Sequence, residues 1–423
     1  MSKITKIWAR EILDSRGIPT VEAACLIDSG QVGVSSVPAG TSTGKYEAIE
    51  IRDSQGTRYR GKGVQTAVDN VNNILGPALI GMDVTSQEDV DNKLIGLDGT
   101  ENKSKYGSNA ILAISEAVCK SGALAAKSTL YNWINALTLK YAIEAPLKIP
   151  IPIFNMINGG LHGAGNLDFQ EFHVIPSSLK TFSDGLGSCV EIYMVLGETL
   201  ARRGAIHSVG NEGGYAPNLF TNAEAFQIVV ESIKSTNYSL GRDVSLGLDV
   251  AASFFYKDGE YHIKDKSSPL DESEMIEYYK SLNTSYHLAL LEDPFEQDAW
   301  GSWKKILNIF KGQVTIVGDD LLVTNPKRVE KAISEQACNG ILVKPNQIGT
   351  ITETLKVIKI ARDADWKVIV SHRSGETNDS FIADFAVGVG ADYTKFGAPA
   401  RGERVAKYNR LLAIESELLR IKK

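Results

Sequence analysis

The chain is predicted to be an α/β protein in two parts, a small N-terminal α+β unit (residues 1–139) and a C-terminal α/β barrel (residues 140–423). Three observations carry that prediction. The length of 423 residues exceeds one ordinary core and suits a small domain beside a barrel of about 250 residues. Six short apolar runs in the C-terminal two-thirds each stop at a charged or polar side chain, in the order Asp249, Glu292, Asp319, Lys344, His372, Lys395. The stretches between those runs are roughly 20 to 40 residues, the length of a βα repeat with its loops. Strands of a closed parallel barrel end on one face, so the six residues are expected to meet there.

The elements follow in order. Alternation in PTVEAACLI (19–27) and QVGVSSV (31–37) reads as strands, with turns at Asp28, Ser29 and Gly30 and at residues 38–44. Residues 108–127 are rich in Ala and Leu at helical spacing. Three prolines in residues 144–152 suggest an extended connector. Beyond it strand and helix signals alternate, which predicts a parallel sheet. Crossover helices are expected at 272–282, 326–334, 351–362 and 380–389, where apolar residues recur every three or four positions. Residues 406–423 read as an amphipathic helix with mixed charge on its outer side.

Composition narrows the function. Hydrophobic residues at 43% and charged residues at 23% exclude a disordered or fibrous chain. A net charge of −6 speaks against a nucleic-acid partner, and an anionic ligand would need local positive charge. Charges every few residues in MSKITKIWAREILDSRG leave no apolar h-region, and no run approaches the ~18 apolar residues of a membrane span. A cytoplasmic protein with no membrane partner is the expectation. Cys25, Cys119, Cys189 and Cys338 are scattered, with no C-x-x-C pair, and read as reduced core thiols.

Asp249, Glu292 and Asp319 close three successive strands, and an all-carboxylate set favours a hard cation such as Mg²⁺ over zinc or copper; the plainer alternative is that they cap the following helices. Asp293 and Asp320 point elsewhere if the strands alternate, as supporting or capping groups. Lys344 and Lys395 end two more strands. An ammonium beside a divalent cation and a second ammonium loses proton affinity and can serve as a base, or both lysines are counter-ions to the acids. SHRSGET (371–377) offers Arg373 for bidentate oxyanion binding and Ser374 as a further donor, unless it is a solvated turn.

Two glycine-rich loops carry His162, Gln170 and Glu171 (158–172) and Glu212 (208–217). Glycine there permits positive φ or close approach of a ligand, and Glu212 is placed to act as a general acid, although a lone His or Glu in a loop is usually solvated. His173, His207, His262 and His287 take that solvated reading. PAGTSTGKYE (38–47) is not a P-loop: three residues separate Gly40 from Gly44 instead of four, and Tyr46 follows the lysine. A mobile loop closing over a ligand suits it better.

Taken together, DSRGIPTVE, AGTSTGKYEA, NGGLHGAGNLDFQEF, GNEGGYAPN, GLDVAAS, LEDPFEQDAW, GDDLLVTNP, KPNQIGT, SHRSGETND and KFGAPARGERVAKYNRLL resemble the enolase family nearly end to end. The resemblance implies an N-terminal α+β domain and an eight-fold, TIM-like α/β barrel whose first units are irregular. It also implies reversible dehydration of 2-phosphoglycerate to phosphoenolpyruvate. By that likeness Asp249, Glu292 and Asp319 hold Mg²⁺, Lys344 removes the proton on C2 and Glu212 protonates the departing hydroxyl. Lys395 and Gln170 contact the carboxylate side, Arg373 and Ser374 the phosphate, and His162, Glu171 and His372 line the closed pocket.

Two positions depart from the family pattern. Ala39 stands where a serine helps bind a second Mg²⁺, so two ions per site are expected, the second weaker and held through the Ala39 backbone carbonyl. Asn211 replaces an aspartate beside Glu212. These departures raise a rival, an enolase paralogue acting on a related phosphorylated or phosphonylated acid. A second rival is a surface-displayed, partner-binding role through Lys422 and Lys423. Arg16, Glu22, Glu403 and Arg410 resemble residues that pair across the family's dimer, so a homodimer, or an octamer built from dimers, is expected.

Overall fold

The computed structural model describes residues 2–40, 44–163 and 166–421. Thr41, Ser42 and Thr43 of the loop expected to close over a ligand, and the terminal Lys422 and Lys423, lie outside the described residues.

The chain begins with an antiparallel sheet of β1 (Ile4–Leu13), β2 (Pro19–Ile27) and β3 (Val32–Ser36), with β2 in the centre. β1 escaped the sequence reading because charged Lys6, Arg10 and Glu11 interrupt its apolar positions; its inward side chains are Ile4, Ile7 and Ala9. Helices α1 (Gln65–Asn70), α2 (Gln87–Asp98), α3 (Ser108–Ala125) and α4 (Leu130–Leu139) follow. α3 is apolar on nearly every side and lies between β2 and β3 on one face and the barrel on the other. α4, placed in the N-terminal unit by the boundary expected at 139, buries Tyr131, Ile134 and Leu137 in the larger core of the C-terminal part.

The second part is a closed barrel. Its strands are β4 (Ile151–Asn158), β5 (Glu171–Pro176) and β6 (Val244–Asp249), then, after a short hairpin of β7 (Tyr256–Lys257) and β8 (Glu260–Tyr261), β9 (Leu288–Glu292), β10 (Thr315–Gly318), β11 (Gly340–Val343), β12 (Lys367–Ser371) and β13 (Tyr393–Lys395). Around it lie α5 (Phe182–Arg202), α6 (Asn222–Lys234), α7 (Glu272–Tyr286), α8 (Trp300–Ile309), α9 (Pro326–Glu335), α10 (Ile351–Asp363), α11 (Phe381–Gly388) and α12 (Gly402–Ile421). Ile153, Ile175, Leu290, Val317, Leu342 and Ile369 fill the interior, so the barrel is a packed core and polar chemistry is confined to its mouth.

One expectation needs correcting. The sheet is not wholly parallel, because β5 runs antiparallel to both β4 and β6. β4 and β5 are joined by a hairpin loop, which permits only antiparallel pairing, whereas the later strands are separated by full helical crossovers. Reversal matters for the site. The first residue of β5, Glu171, pairs with Asp249, the last residue of β6, and therefore lies at the same mouth.

The helix signals were otherwise well placed. Asp271 and Glu274 form a capping box on α7, while Asn325 caps α9 and Thr350 caps α10, which satisfies amide donors left free by the first helical turn. α12 is less simple than its mixed-charge outer face suggested: Lys407 is fully buried and paired with Glu376 at 2.8 Å. All four cysteines are buried and free.

Candidate active site

The six strand-end residues do converge. Asp249, Glu292 and Lys395 are the last residues of β6, β9 and β13, and Asp319, Lys344 and His372 follow β10, β11 and β12 by one position. All are buried except Lys344, which is half-buried. A strand end is where backbone pairing stops, so a side chain there points along the barrel axis into the mouth while its backbone is still fixed by the sheet.

Lys395 Nζ lies 2.9 Å from Asp249 Oδ2, 2.9 Å from both Glu292 oxygens and 3.2 Å from Glu171 Oε2. Burial opposes its charge, but these carboxylates outweigh burial and hold it well above the usual lysine range. Lys344 Nζ donates to Asp319 Oδ2 at 2.5 Å. Burial disfavours the charge on Lys344, Asp319 outweighs it, and the pKa is raised; the loss of proton affinity expected of it belongs to a site that also holds a divalent cation. In return Lys344 and Lys395 pull Asp319 down against its burial, while Glu292 is pushed well up by burial and by Asp249.

A second group faces the cluster. Glu212 accepts from Asn155 Nδ2 at 3.1 Å and lies 3.7 Å from His372 Nε2. His162 Nδ1 sits 3.3 Å from an oxygen of both Glu171 and Glu212. Burial resists a charge on His162, but Glu212 and Glu171 overcome it and push its pKa to about 10. His162, Glu171 and Glu212 are thus buried and interacting, and the solvated alternative for them fails. It fails also for His173, which is buried and bonded to Glu171 at 2.8 Å; His207, His262 and His287 are exposed. Gln170 Nε2 donates to Asp249 Oδ2 at 3.2 Å.

Across the mouth, Arg373 donates to Glu47 at 3.0 Å and to Asn346 at 3.1 Å. Ser374 Oγ accepts from Arg16 at 3.4 Å, so the SHRSGET segment is buried and not a solvated turn. The carbonyl of Ala39, expected to take a second cation, accepts from Gly375 N at 2.9 Å and Arg16 Nη2 at 3.0 Å. Coordination through that oxygen requires those two bonds to break.

The ligand set for a cation can be tested on this geometry. Asp249 Oδ1 is buried with no hydrogen-bond partner among the described residues, and Glu292 carries an excess of nearby negative charge. Both features fit a hard divalent cation bound by carboxylate oxygens. The trio Asp249, Glu292 and Asp319 is not drawn to one point, however, because Lys395 stands against the first two and Lys344 against the third. Among the described residues two sets do have ligand atoms within 4.8 Å of one another: His162, Glu171 and Glu212, and Asp293, Asp319 and Asp320. Asp293 is engaged by the backbone N–H groups of Asp319 and Asp320 at 2.9 and 2.7 Å, yet it and Asp320 line the same mouth as Asp319 and do not point elsewhere as strand alternation suggested.

The free space among these side chains is about 20 Å³, room for a water-sized molecule. A larger cavity of about 510 Å³ opens nearby between Lys45, Lys103 and Lys327. It shares Glu47 and Gln347 with the mouth, but Asp249, Glu292, Asp319, Lys344 and Lys395 do not line it, so the chemistry belongs to the mouth.

Sequence reasoning missed several residues of the site. Glu47, Asn155 and Gln347 orient Arg373, Glu212 and Asp319, and fully buried Arg404 bonds His372. None ends an apolar run, which was the signal used; GERVAKY did contain Arg404, but nothing in that stretch marks one arginine as buried. Arg16, Glu22, Glu403 and Arg410 each have partners within the chain: Asp14, Arg10, Arg401 and Asp384.

Comparison with known families agrees with the two-part fold. Residues 4–134 match the family model described as enolase, N-terminal domain, and residues 146–422 match that described as enolase, C-terminal TIM barrel domain.

Proposed function

The chain belongs to the enolase family, and from that premise we propose that it catalyses the Mg²⁺-dependent, reversible dehydration of 2-phosphoglycerate to phosphoenolpyruvate. The observation that carries the reading is the opposition, in one buried mouth, of an amine set among carboxylates and a separate carboxyl group backed by Asn155 and two histidines.

The reaction removes a very weakly acidic proton from C2 and expels hydroxide from C3 as water. Lys344 takes the C2 proton and Glu212 delivers a proton to the departing C3 oxygen, so one proton leaves the substrate and one returns with the water. Partner counts favour Lys344 over Lys395 as the base. Lys395 touches three carboxylates and stays an ammonium suited to offset the charge that grows on the substrate carboxylate. Among the described residues Lys344 pairs with Asp319 alone, and it loses that restraint once Asp319 is engaged elsewhere. Gln170 joins Lys395 on the carboxylate side. Arg373 and Ser374 bind the phosphate, the arginine through a planar fork, and His162, Glu171 and His372 line the pocket. Asp249, Glu292 and Asp319 would hold Mg²⁺, which when bound supplies positive charge against the developing dianion. A three-carbon phosphorylated acid needs more room than the present space, so the cluster opens as it binds.

This reading carries with it a place in glycolysis and gluconeogenesis, a cytoplasmic location and a homo-oligomer of at least two chains. Among the described residues no helix is long and apolar enough to cross a membrane. The test is turnover of 2-phosphoglycerate with Mg²⁺, followed by the ultraviolet absorbance of the enol phosphate. Activity abolished by EDTA and restored by Mg²⁺ is the expected result. No turnover of 2-phosphoglycerate, with turnover of a phosphonylated or other phosphorylated acid, would select the paralogue instead.

A further inference from the structure

The side chain of Arg404, on the first turn of α12, is fully buried. Its Nη1 bonds His372 Nδ1 and the Arg373 carbonyl, both at 2.6 Å, and its Nη2 donates to the Ser374 carbonyl at 2.6 Å and the Asn211 carbonyl at 3.0 Å. Guanidinium has no acceptor. His372 Nδ1 must therefore be the bare nitrogen, and the ring proton sits on Nε2, which is the atom facing Glu212 at 3.7 Å. Burial and the adjacent guanidinium keep His372 well below its usual pKa, in keeping with a neutral ring.

We propose that Arg404 is a positioning residue that fixes His372 as a neutral Nε2–H donor toward Glu212 and ties the Glu212 loop to the segment bearing Arg373 and Ser374. The tie is direct, since one planar group spans the carbonyl preceding Glu212 and two carbonyls of the 372–374 segment. The catalytic consequence rests on the function proposed above; the tautomer does not. Lysine, also without an acceptor, would keep the charge but not the fork, whereas glutamine can either donate to or accept from the ring and so does not enforce the tautomer.

The test uses the full-length protein labelled with ¹⁵N-histidine, the His372 signals being assigned by their loss in His372→Gln. Long-range ¹H–¹⁵N correlation at neutral pH is expected to show Nε2 protonated and Nδ1 bare. A protonated Nδ1, or an imidazolium, would overturn the proposal. In Arg404→Gln the tautomers should mix, and kcat for 2-phosphoglycerate should fall ~10²-fold with KM less affected. Adding His372→Gln to Arg404→Gln should then cost much less than His372→Gln costs alone. Independent, multiplying losses would refute action through His372. Should Arg404→Gln fail to fold, the wild-type spectrum still decides. The spectrum requires no turnover, so an inactive wild type would sink the functional reading and leave this result standing.

Discussion

Lys344 and Lys395 carry the same group at the same barrel mouth, and their neighbours separate them. Three carboxylates around Lys395 make it a fixed cation, while Lys344 has one. Replacing Lys344 by Ala is expected to lower kcat by ~10²–10⁴-fold, measured by steady-state turnover, with the fold intact by circular dichroism. Ala39 leads to a second prediction. Its carbonyl is held by Gly375 and Arg16, so a serine hydroxyl would add a ligand that the backbone does not offer. Ala39→Ser should shift Mg²⁺ activation to lower concentration, and an unchanged activation curve would count against a second ion near residue 39. Much of the site was readable at this scale, because a polar residue closing an apolar run is a local signal. His173 and Lys407 were not: His173 is buried by the barrel around the strand it shares with its partner Glu171, and the partner of Lys407, Glu376, lies in a segment outside α12.

β5 shows what local pattern misses among the elements. Its orientation is set by the hairpin from β4, and only that reversal brings Glu171, the first residue of the strand, beside Asp249. α3 supplies another case. Glu116 lies on its buried face, where Ser35 Oγ is within hydrogen-bond distance of both Glu116 (2.7 Å) and Asp379 (3.1 Å). One hydroxyl proton serves one acceptor, and Lys120 holds Asp379 ionised; a protonated Glu116 donating to Ser35 satisfies all three. Burial, and then Asp379, accordingly push Glu116 from 4.5 to about 8. The folded state thus keeps a proton that the unfolded chain releases near 4.5. Its contribution to stability is whole below that value, declines as pH rises by up to ~1.4 kcal/mol per unit, and levels off above about 8. Glu116→Gln should flatten this slope. Urea unfolding of both proteins from about pH 5 to about pH 8 checks it, and parallel slopes would refute it.

For the molecule as a whole, the N-terminal domain contributes side chains to the candidate site. Asp14 orients Arg16, Arg16 reaches Ser374, and Glu47 holds Arg373. Two cores meeting at a barrel mouth were predictable from length and from the spacing of the apolar runs. The cross-domain contacts were not, because nothing in residues 14–47 resembles the segment at 371–377 that they touch. Gel filtration with light scattering should give a mass of at least two chains; a monomer at micromolar concentration would contradict the expected dimer. The central claim is the division of labour between Lys344 and Glu212, and proton exchange at C2 of 2-phosphoglycerate in D₂O, followed by ¹H NMR, tests it most directly. The account predicts loss of exchange in Lys344→Ala, and continued exchange without phosphoenolpyruvate in Glu212→Gln. Exchange surviving in Lys344→Ala would contradict it.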